Sequence, residues 1–331
     1  MEIEETLRSV AFPLVRTATF CANALLFGLA PVILLVLRPT FGTQDAAAFS
    51  SGRRRVGARL EGFVQAALVA SAVATLLLLL LQATLVAELT GGRIDSKSIQ
   101  GVFETSFGRW TGIRLLLLFG LGLVLVGKVR DLSMAPGGGG GGRLWWAIWM
   151  VLAGAVLVTN SLAGHAASAE PVPLSVANDA LHLIAGSVWF AGIVVLSVVL
   201  PDAWADRPPP DRLAMLAPAV DRFATVALVT IAIAGVTGVA NSLLNVAALN
   251  DLVDSGYGRT VVLKLSLFAG ILGFGAVNHY MVRRSLVSEL KEGRASSAQR
   301  VFRKTIAAEL AIAVGIMAAT GLLVGLERTR L

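Results

Sequence analysis

The chain has 331 residues, of which 56% are hydrophobic and 15% are charged. A soluble domain usually carries about 25% charged residues, so this composition excludes most soluble classes of protein. The mean hydropathy of +0.76 and the formal net charge of +7 indicate a membrane protein whose Lys and Arg side chains face anionic lipid, and we expect no nucleic-acid partner.

Eight apolar stretches are long enough to cross a bilayer, which takes roughly 20 residues per helix. In chain order they cover about 13–37, 60–87, 108–127, 144–163, 177–200, 219–247, 259–282 and 305–326. The alternating pattern of a transmembrane β-barrel is absent from the sequence. We therefore predict an all-α, polytopic membrane protein with eight transmembrane helices in a lipid bilayer.

The first span carries the only cysteine, Cys21, so no intrachain disulfide can form. The acidic start of the chain lacks the basic region of a cleavable signal peptide, and we expect the first span to remain as a helix. Cys21 is a candidate third ligand for a metal ion. The alternative is a small packing residue, which is the commoner role of a lone cysteine inside a membrane.

A short motif occurs twice, 150 residues apart. Phe107-Gly108-Arg109 opens the third span and Tyr257-Gly258-Arg259 opens the seventh, and each is followed by a basic residue at the same distance, Arg114 and Lys264. Because the offset corresponds to four spans, the motif predicts two parallel four-helix repeats. We assign residues 1–143 to the first three spans with a Gly-rich cytoplasmic linker at 135–143, residues 144–170 to the fourth span, and residues 171–331 to the second repeat.

Two interpretations of the basic residues inside the spans remain open. Arg114 and Lys264 either extend to the outer interface, or they hold an anionic group or bound water within the membrane. Tyr257 and Arg259 are expected to act as anchors at the membrane interface.

The distribution of basic residues predicts the orientation of the chain. The loops after spans one, three, five and seven, together with Arg222 at the start of span six, hold 18 of the 28 Lys and Arg residues, whereas the loop 164–176 after span four holds none. Basic loops face the cytoplasm in membrane proteins. We therefore predict that both termini, and the loop after span four, lie outside.

Two of the three histidines flank this predicted outer loop. His165 ends the fourth span and His182 opens the fifth, and Asp179 shares a helical face with His182 because it lies three residues earlier. Two imidazoles joined by a short hairpin could bind copper, zinc or haem iron. The alternative is a pair of interfacial histidines bonded to headgroups and water. Asn160, Asn178 and Trp189 are further polar candidates along the same two spans.

Two ionisable residues lie near the predicted cytoplasmic ends of spans seven and eight. His279 is expected to be interfacial, and Glu309 is expected to pair with Arg303 or Lys304 or to face cytoplasmic water. Soluble-enzyme motifs, including the phosphate-binding Walker loop, are missing. We expect neither an ATP-driven pump nor an enzyme.

Several strings in the second half carry a family resemblance. They are Gly164-His165-Ala166-Ala167, the stretch from Asn178-Asp179 through His182 and Trp189 to Gly192, the stretch from Tyr257 to Lys264, and Asn278. They resemble the copper resistance D (CopD) family of bacterial and archaeal inner-membrane proteins, over about residues 160–325. The first half is similar to the family only in its number of spans and its weaker Phe-Gly-Arg copy.

This resemblance implies copper handling, with His165 and His182 as the histidines carried over and a separate periplasmic CopC-like protein as a partner. We expect a copper ion, as Cu(I) or Cu(II), to enter from the outer face, meet His165, His182 and Asp179, and pass between the two four-helix units. The alternatives are a haem-binding membrane electron carrier and a copper sensor or assembly factor that transports nothing. The sequence leaves the oligomeric state open.

Overall fold

The computed structural model describes residues 7–42, 50–90, 94–126, 142–203, 208–246, 248–278 and 297–326, together with residues 280, 285 and 288. Eight helices in this part of the chain are long and apolar enough to cross a membrane, and it contains no strand. The predicted all-α polytopic fold is thus confirmed. The spans are α1 Phe12–Val32, α2 Ser50–Thr90, α3 Ser106–Leu125, α4 Arg143–Ala163, α5 Val172–Val194, α6 Pro209–Asn245, α7 Gly256–Val277 and α8 Ser297–Leu323.

Shorter helical elements extend or connect the spans. α1 continues into a π-helical turn at Ile33–Leu37, and α5 does the same at Val195–Val199. The short helices Ser96–Glu104 and Asp251–Asp254 precede α3 and α7, and the 3₁₀ turn His165–Ser168 connects α4 to α5.

Some helices are longer than the apolar stretches that predicted them. Arg53, Arg54 and Arg55, which the sequence analysis placed in a loop, lie in the first turns of α2. The buried Arg53 guanidinium donates a hydrogen bond to the Phe41 carbonyl. Hydropathy marks only the part of a helix that matches the hydrocarbon thickness, so it misses polar extensions of this kind.

The centre of the molecule is the crossing of α1 and α5. α1 also packs against α2, α4 and α8, and α5 packs against α4, α6 and α8. Gly28 makes the crossing possible, because a Cβ atom at this position would overlap the Ser187 carbonyl and lie 2.8 Å from the Ala191 side chain. Close helix approach through small residues is the usual way in which membrane helices gain packing contacts.

The two copies of the repeated motif have the same local structure. Thr105 and Ser255 cap α3 and α7, and their hydroxyl oxygens accept hydrogen bonds from the amides of Gly108 and Gly258 at 3.0 and 2.8 Å. In both copies a Cβ atom on the glycine would overlap a carbonyl of the preceding short helix. The glycine in each motif is therefore required by the same tight turn.

The pattern of neighbouring helices agrees only in part with a parallel repeat, because α2 packs on α3 whereas α6 makes no comparable contact with α7. α1 packs on α2 as α5 packs on α6, and α3 packs on α4 as α7 packs on α8. Contacts of α1 with α8 and of α5 with α4 cross between the two halves. The superposition of residues 1–170 on residues 171–331 remains a prediction.

One face of α3 shows how the spans meet lipid. Leu118 and Leu121 are buried, whereas Leu116 is 72% exposed and Phe119 is 68% exposed. Large apolar side chains with this exposure are expected where the surrounding medium is hydrocarbon rather than water.

Some predictions fall outside the described residues. They concern the glycine-rich linker up to residue 141, His279, the termini, and most of the charged loop between α7 and α8.

Candidate metal site at the α5–α6 interface

His182 is half-buried where α5 packs on α6. Its Nδ1 lies 3.0 Å from the Ala234 carbonyl oxygen and 3.2 Å from the Thr237 hydroxyl oxygen. The Thr237 hydroxyl donates its own proton to the Ile233 carbonyl at 2.6 Å. Both atoms that face Nδ1 are therefore acceptors, so Nδ1 carries the proton and the neutral ring keeps its lone pair on Nε2.

This arrangement is the one that suits a metal-binding histidine. A histidine that ligates a metal usually donates its other ring N–H to a carbonyl or carboxylate, which fixes the tautomer and the ring orientation. Among the described residues, no group forms a hydrogen bond with His182 Nε2. Gly238 leaves room for the ring, since a Cβ atom there would lie 3.1 Å from His182 Cε1.

Asn178 and Asp179, one turn from His182, bond to the same neighbouring helix. The Asn178 amide donates to the Thr237 carbonyl at 3.0 Å and to Asn241 Oδ1 at 2.7 Å. Asn241 Nδ2 in turn donates to Asp179 Oδ1 at 3.0 Å. The network holds the Asp179 carboxylate in place and uses only part of its capacity to accept hydrogen bonds.

Groups from two further helices face Asp179. The half-buried Lys264 on α7 is close enough for its charge to act on both Asp179 and His182. The buried Ser161 hydroxyl on α4 lies beside the carboxylate without a well-formed hydrogen bond. Side chains of α4, α6 and α7 therefore surround Asp179 on α5.

The two histidines lie at different depths. His182 was expected to open the fifth span. α5 begins at Val172, so His182 instead lies about 15 Å along it. His165 begins the 3₁₀ turn that follows α4, one turn beyond Ser161, and its side chain is outside the described part of the structure. Along the helix direction Asp179 thus lies between the His165 backbone and His182.

Other candidates are not brought into this cluster. Cys21 on α1 packs against the main apolar core of the protein. Asn160 donates hydrogen bonds to the Val156 and Leu157 carbonyls of its own helix. Trp189 is buried deeper along α5. Among the described side chains, no group of three His, Cys, Asp or Glu residues is close enough to hold a metal ion.

The basic residue in the first half has a different environment from Lys264. Arg114 is 2% exposed, and its Nε donates to Thr159 Oγ1 on α4 at 2.7 Å, so it does not extend to the interface. Of the expected interface anchors, Arg259 is exposed whereas Tyr257 is buried.

The expectation for Glu309 was wrong. This carboxylate is buried, and its Oε1 accepts a hydrogen bond from Asn278 Nδ2 at 2.6 Å. Arg303 and Lys304 are exposed on the same helix. The packing of α8 on α7 places the Asn278 amide beside Glu309, and the sequence of α8 alone does not contain this information.

A polar stripe on α6 was not predicted from the sequence. Thr237, Asn241 and Asn245 recur every four residues, so they lie on one face of the helix, and this face meets α5. Their spacing in an otherwise apolar span was the available signal, because polar residues inside membrane helices usually face a functional interior.

Comparison with known proteins identifies the family. Residues 6–176, just over half of the chain, match the family "Copper resistance protein D-like, N-terminal domain", and residues 217–323 match "Copper resistance protein D". The chain belongs to the copper resistance protein D family. The match at 6–176 corrects the expectation that the first half resembles the family only in its number of spans.

Two relatives show how far the similarity extends. The chain is 26% identical to copper resistance protein D of Pseudomonas syringae pv. tomato over 313 residues, which cover 92% of each chain. It is 27% identical to the copper transport protein CutJ of Bacillus subtilis over 183 residues, which are 55% of this chain and only 32% of CutJ. These similarities establish a copper-related membrane function.

Proposed function

We propose that the protein transports copper ions across the cytoplasmic membrane, with uptake from the side of the 3₁₀ turn His165–Ser168. The observation that carries this proposal is the fixed tautomer of His182, whose Nε2 lone pair is available inside a membrane-spanning helix. The names of the two relatives, one of them a copper transport protein, support the choice of metal.

His182, Asp179 and His165 are the proposed ligands. Imidazole binds copper in either oxidation state, and a carboxylate adds an oxygen ligand that favours Cu(II). Lys264 balances the charge of Asp179 while no metal ion is bound, and its flexible chain allows the ammonium group to withdraw when a cation arrives.

The segment that leads to this site suits the delivery of a cation. Residues 164–176 carry no Lys or Arg that would repel a metal ion. We propose that a separate CopC-like periplasmic protein delivers copper there. Movement of an ion through the site involves no covalent step, and we propose no enzymatic activity.

The test is copper movement by the purified protein in sealed lipid vesicles. We expect external copper to accumulate inside vesicles that contain the protein and not inside protein-free vesicles. Copper that binds to the protein without accumulating would instead support a sensor or assembly factor. A haem absorption band in the purified protein would support the electron carrier.

Orientation can be tested separately with reporter fusions. Because the basic loops are predicted to face the cytoplasm, a reporter that is active only in the cytoplasm should be inactive when fused after Leu331. The same reporter inserted between α7 and α8 should be active and serves as the control. The reverse pattern would place the His182 end of the molecule on the cytoplasmic side and contradict uptake.

A further inference from the structure

A cavity of about 270 Å³ lies between α5, α6, α7 and α8, and it is partly open, since Leu228 and Leu272 in its wall are 67% and 46% exposed. Its wall is mainly apolar and includes Trp189 on α5, Leu196 in the π-helical turn that follows α5, Ile231 on α6 and Ile271 on α7. One end of the wall is polar, because Asn278 and Glu309 also line the cavity. A cavity of this size has room for several water molecules or a partly hydrated ion.

The cavity lies deeper along the same two helices than the candidate metal site does. Trp189 is seven residues beyond His182 on α5, which is about 10 Å along the helix, and Ile231 is less than one turn from Ala234, the hydrogen-bond partner of His182. Both residues lie farther from the His165 end than His182 does. The same pair of helices thus holds the polar cluster and, beneath it, one wall of the cavity.

Glu309 lies at the end of the cavity away from His182, and only one of its two carboxylate oxygens accepts a hydrogen bond from the described residues. The Thr305 hydroxyl donates to Asn278 Oδ1 at 2.5 Å, which turns the Asn278 amide nitrogen toward Glu309 Oε1. Among the described residues, no group donates to Glu309 Oε2. Glu309 is 5% exposed and forms part of the cavity wall.

No opposite charge lies beside Glu309 in the described structure. The titratable groups on the helices packed against α8 are Arg16 and Cys21 on α1, Tyr257, Arg259 and Lys264 on α7, and Asp179 and His182 on α5. Gly270 packs on Ile312 and Gly315 packs on Leu267, so Lys264 lies about two and a half turns from the level of Glu309. The Tyr280 phenol is the other titratable group in the cavity wall.

We propose that Glu309 is a proton-binding site that exchanges its proton for the copper ion. An ionised carboxylate in an apolar cavity needs one positive charge nearby, and a proton or a metal cation can supply it. When a copper ion reaches the cavity, the carboxyl releases its proton to water and becomes the counter-ion of the metal. When the ion leaves, the carboxyl takes up a proton again, so copper and protons move in opposite directions. This inference rests on the proposed transport function.

The first test compares the wild type, Glu309→Gln and Glu104→Gln in sealed vesicles. Copper is added outside the vesicles, and a pH-sensitive dye is enclosed inside them. Glu104 is a matched control, since its Oε1 also accepts from a side-chain amide, that of Gln100 at 3.0 Å, but it is exposed on a short helix away from the cavity. We expect copper uptake to raise the internal pH with the wild type and with Glu104→Gln. Glu309→Gln should lose this pH change. An unchanged pH response in Glu309→Gln, with copper uptake intact, would overturn the inference and leave the proposed function standing.

The second test detects the proton on Glu309 without transport. Infrared spectra of the purified protein, recorded across a pH titration with and without copper, should contain a protonated-carboxyl band that copper abolishes at constant pH. The band should be missing in Glu309→Gln, and in Asn278→Ala it should be present at a shifted frequency because its hydrogen bond is lost. If the wild type moves no copper in vesicles, the proposed function fails, and this band still decides whether Glu309 exchanges a proton for copper. A spectrum that is the same for the wild type and Glu309→Gln would contradict the proton site.

Discussion

Replacing His182 with alanine should abolish copper binding by the purified protein and copper uptake into vesicles. The ring is the one described side chain that offers an unprotonated, unbonded nitrogen at the polar α5–α6 interface. Its loss should therefore lower affinity by more than the roughly 10–100-fold that removal of a supporting partner costs. The measurement is the copper content of the purified protein after dialysis against a defined free copper concentration.

Companion variants separate a ligand from a structural residue. His165→Ala should have the same effect as His182→Ala, and Asp179→Asn should weaken binding about 10–100-fold. Thr237→Val should weaken it less, because the Ala234 carbonyl still accepts from Nδ1. His279→Ala is the control, and we expect it to bind copper normally.

One result would show that the histidines are structural. If the protein without both His165 and His182 still binds copper and supports normal cellular copper accumulation, the proposed site is wrong. The copper-related function would then rest on family membership alone.

The architecture was predictable because the bilayer imposes a length on each helix. Eight apolar stretches gave eight spans, and the paired aromatic-Gly-Arg motifs marked two helix starts whose caps, Thr105 and Ser255, are built alike. Asp179 and His182 were identified because a three-residue spacing places two polar groups on one face of a helix. Each of these inferences needs only residues that are close together in the chain.

The partners of the polar residues were not predictable in the same way. Asp179 bonds to Asn241, Arg114 to Thr159 and Glu309 to Asn278, across 62, 45 and 31 positions of the chain. Each pair depends on which helices are neighbours and on how they are rotated, and local spacing contains neither. The same reason explains why Glu309 was assigned to Arg303 or Lys304, which are near in sequence and exposed.

The crossing of α1 and α5 predicts a second large effect, this time on stability. Gly28→Ala should lower the melting temperature of the purified protein markedly, because the new methyl group would overlap the Ser187 backbone and only a shift of one whole helix could relieve the overlap. Overpacking of a core typically costs about 1–3 kcal/mol, and a clash with backbone belongs at the upper end of this range. The measurement is thermal unfolding in detergent, followed by the fluorescence of the buried tryptophans Trp145, Trp146 and Trp149.

Gly186→Ala provides the matched control on the facing helix. Gly186 is next to Ser187 on α5, but a Cβ atom there would meet no heavy atom within 4 Å. This substitution should leave the melting temperature unchanged or raise it, since alanine favours a helix by up to about 1 kcal/mol over glycine. Equal melting temperatures for Gly28→Ala and the wild type would mean that α1 and α5 do not approach as closely as described. Because α5 carries Asp179 and His182, a shift at this crossing would also move the proposed ligands relative to α6, so Gly28→Ala should bind copper more weakly than Gly186→Ala.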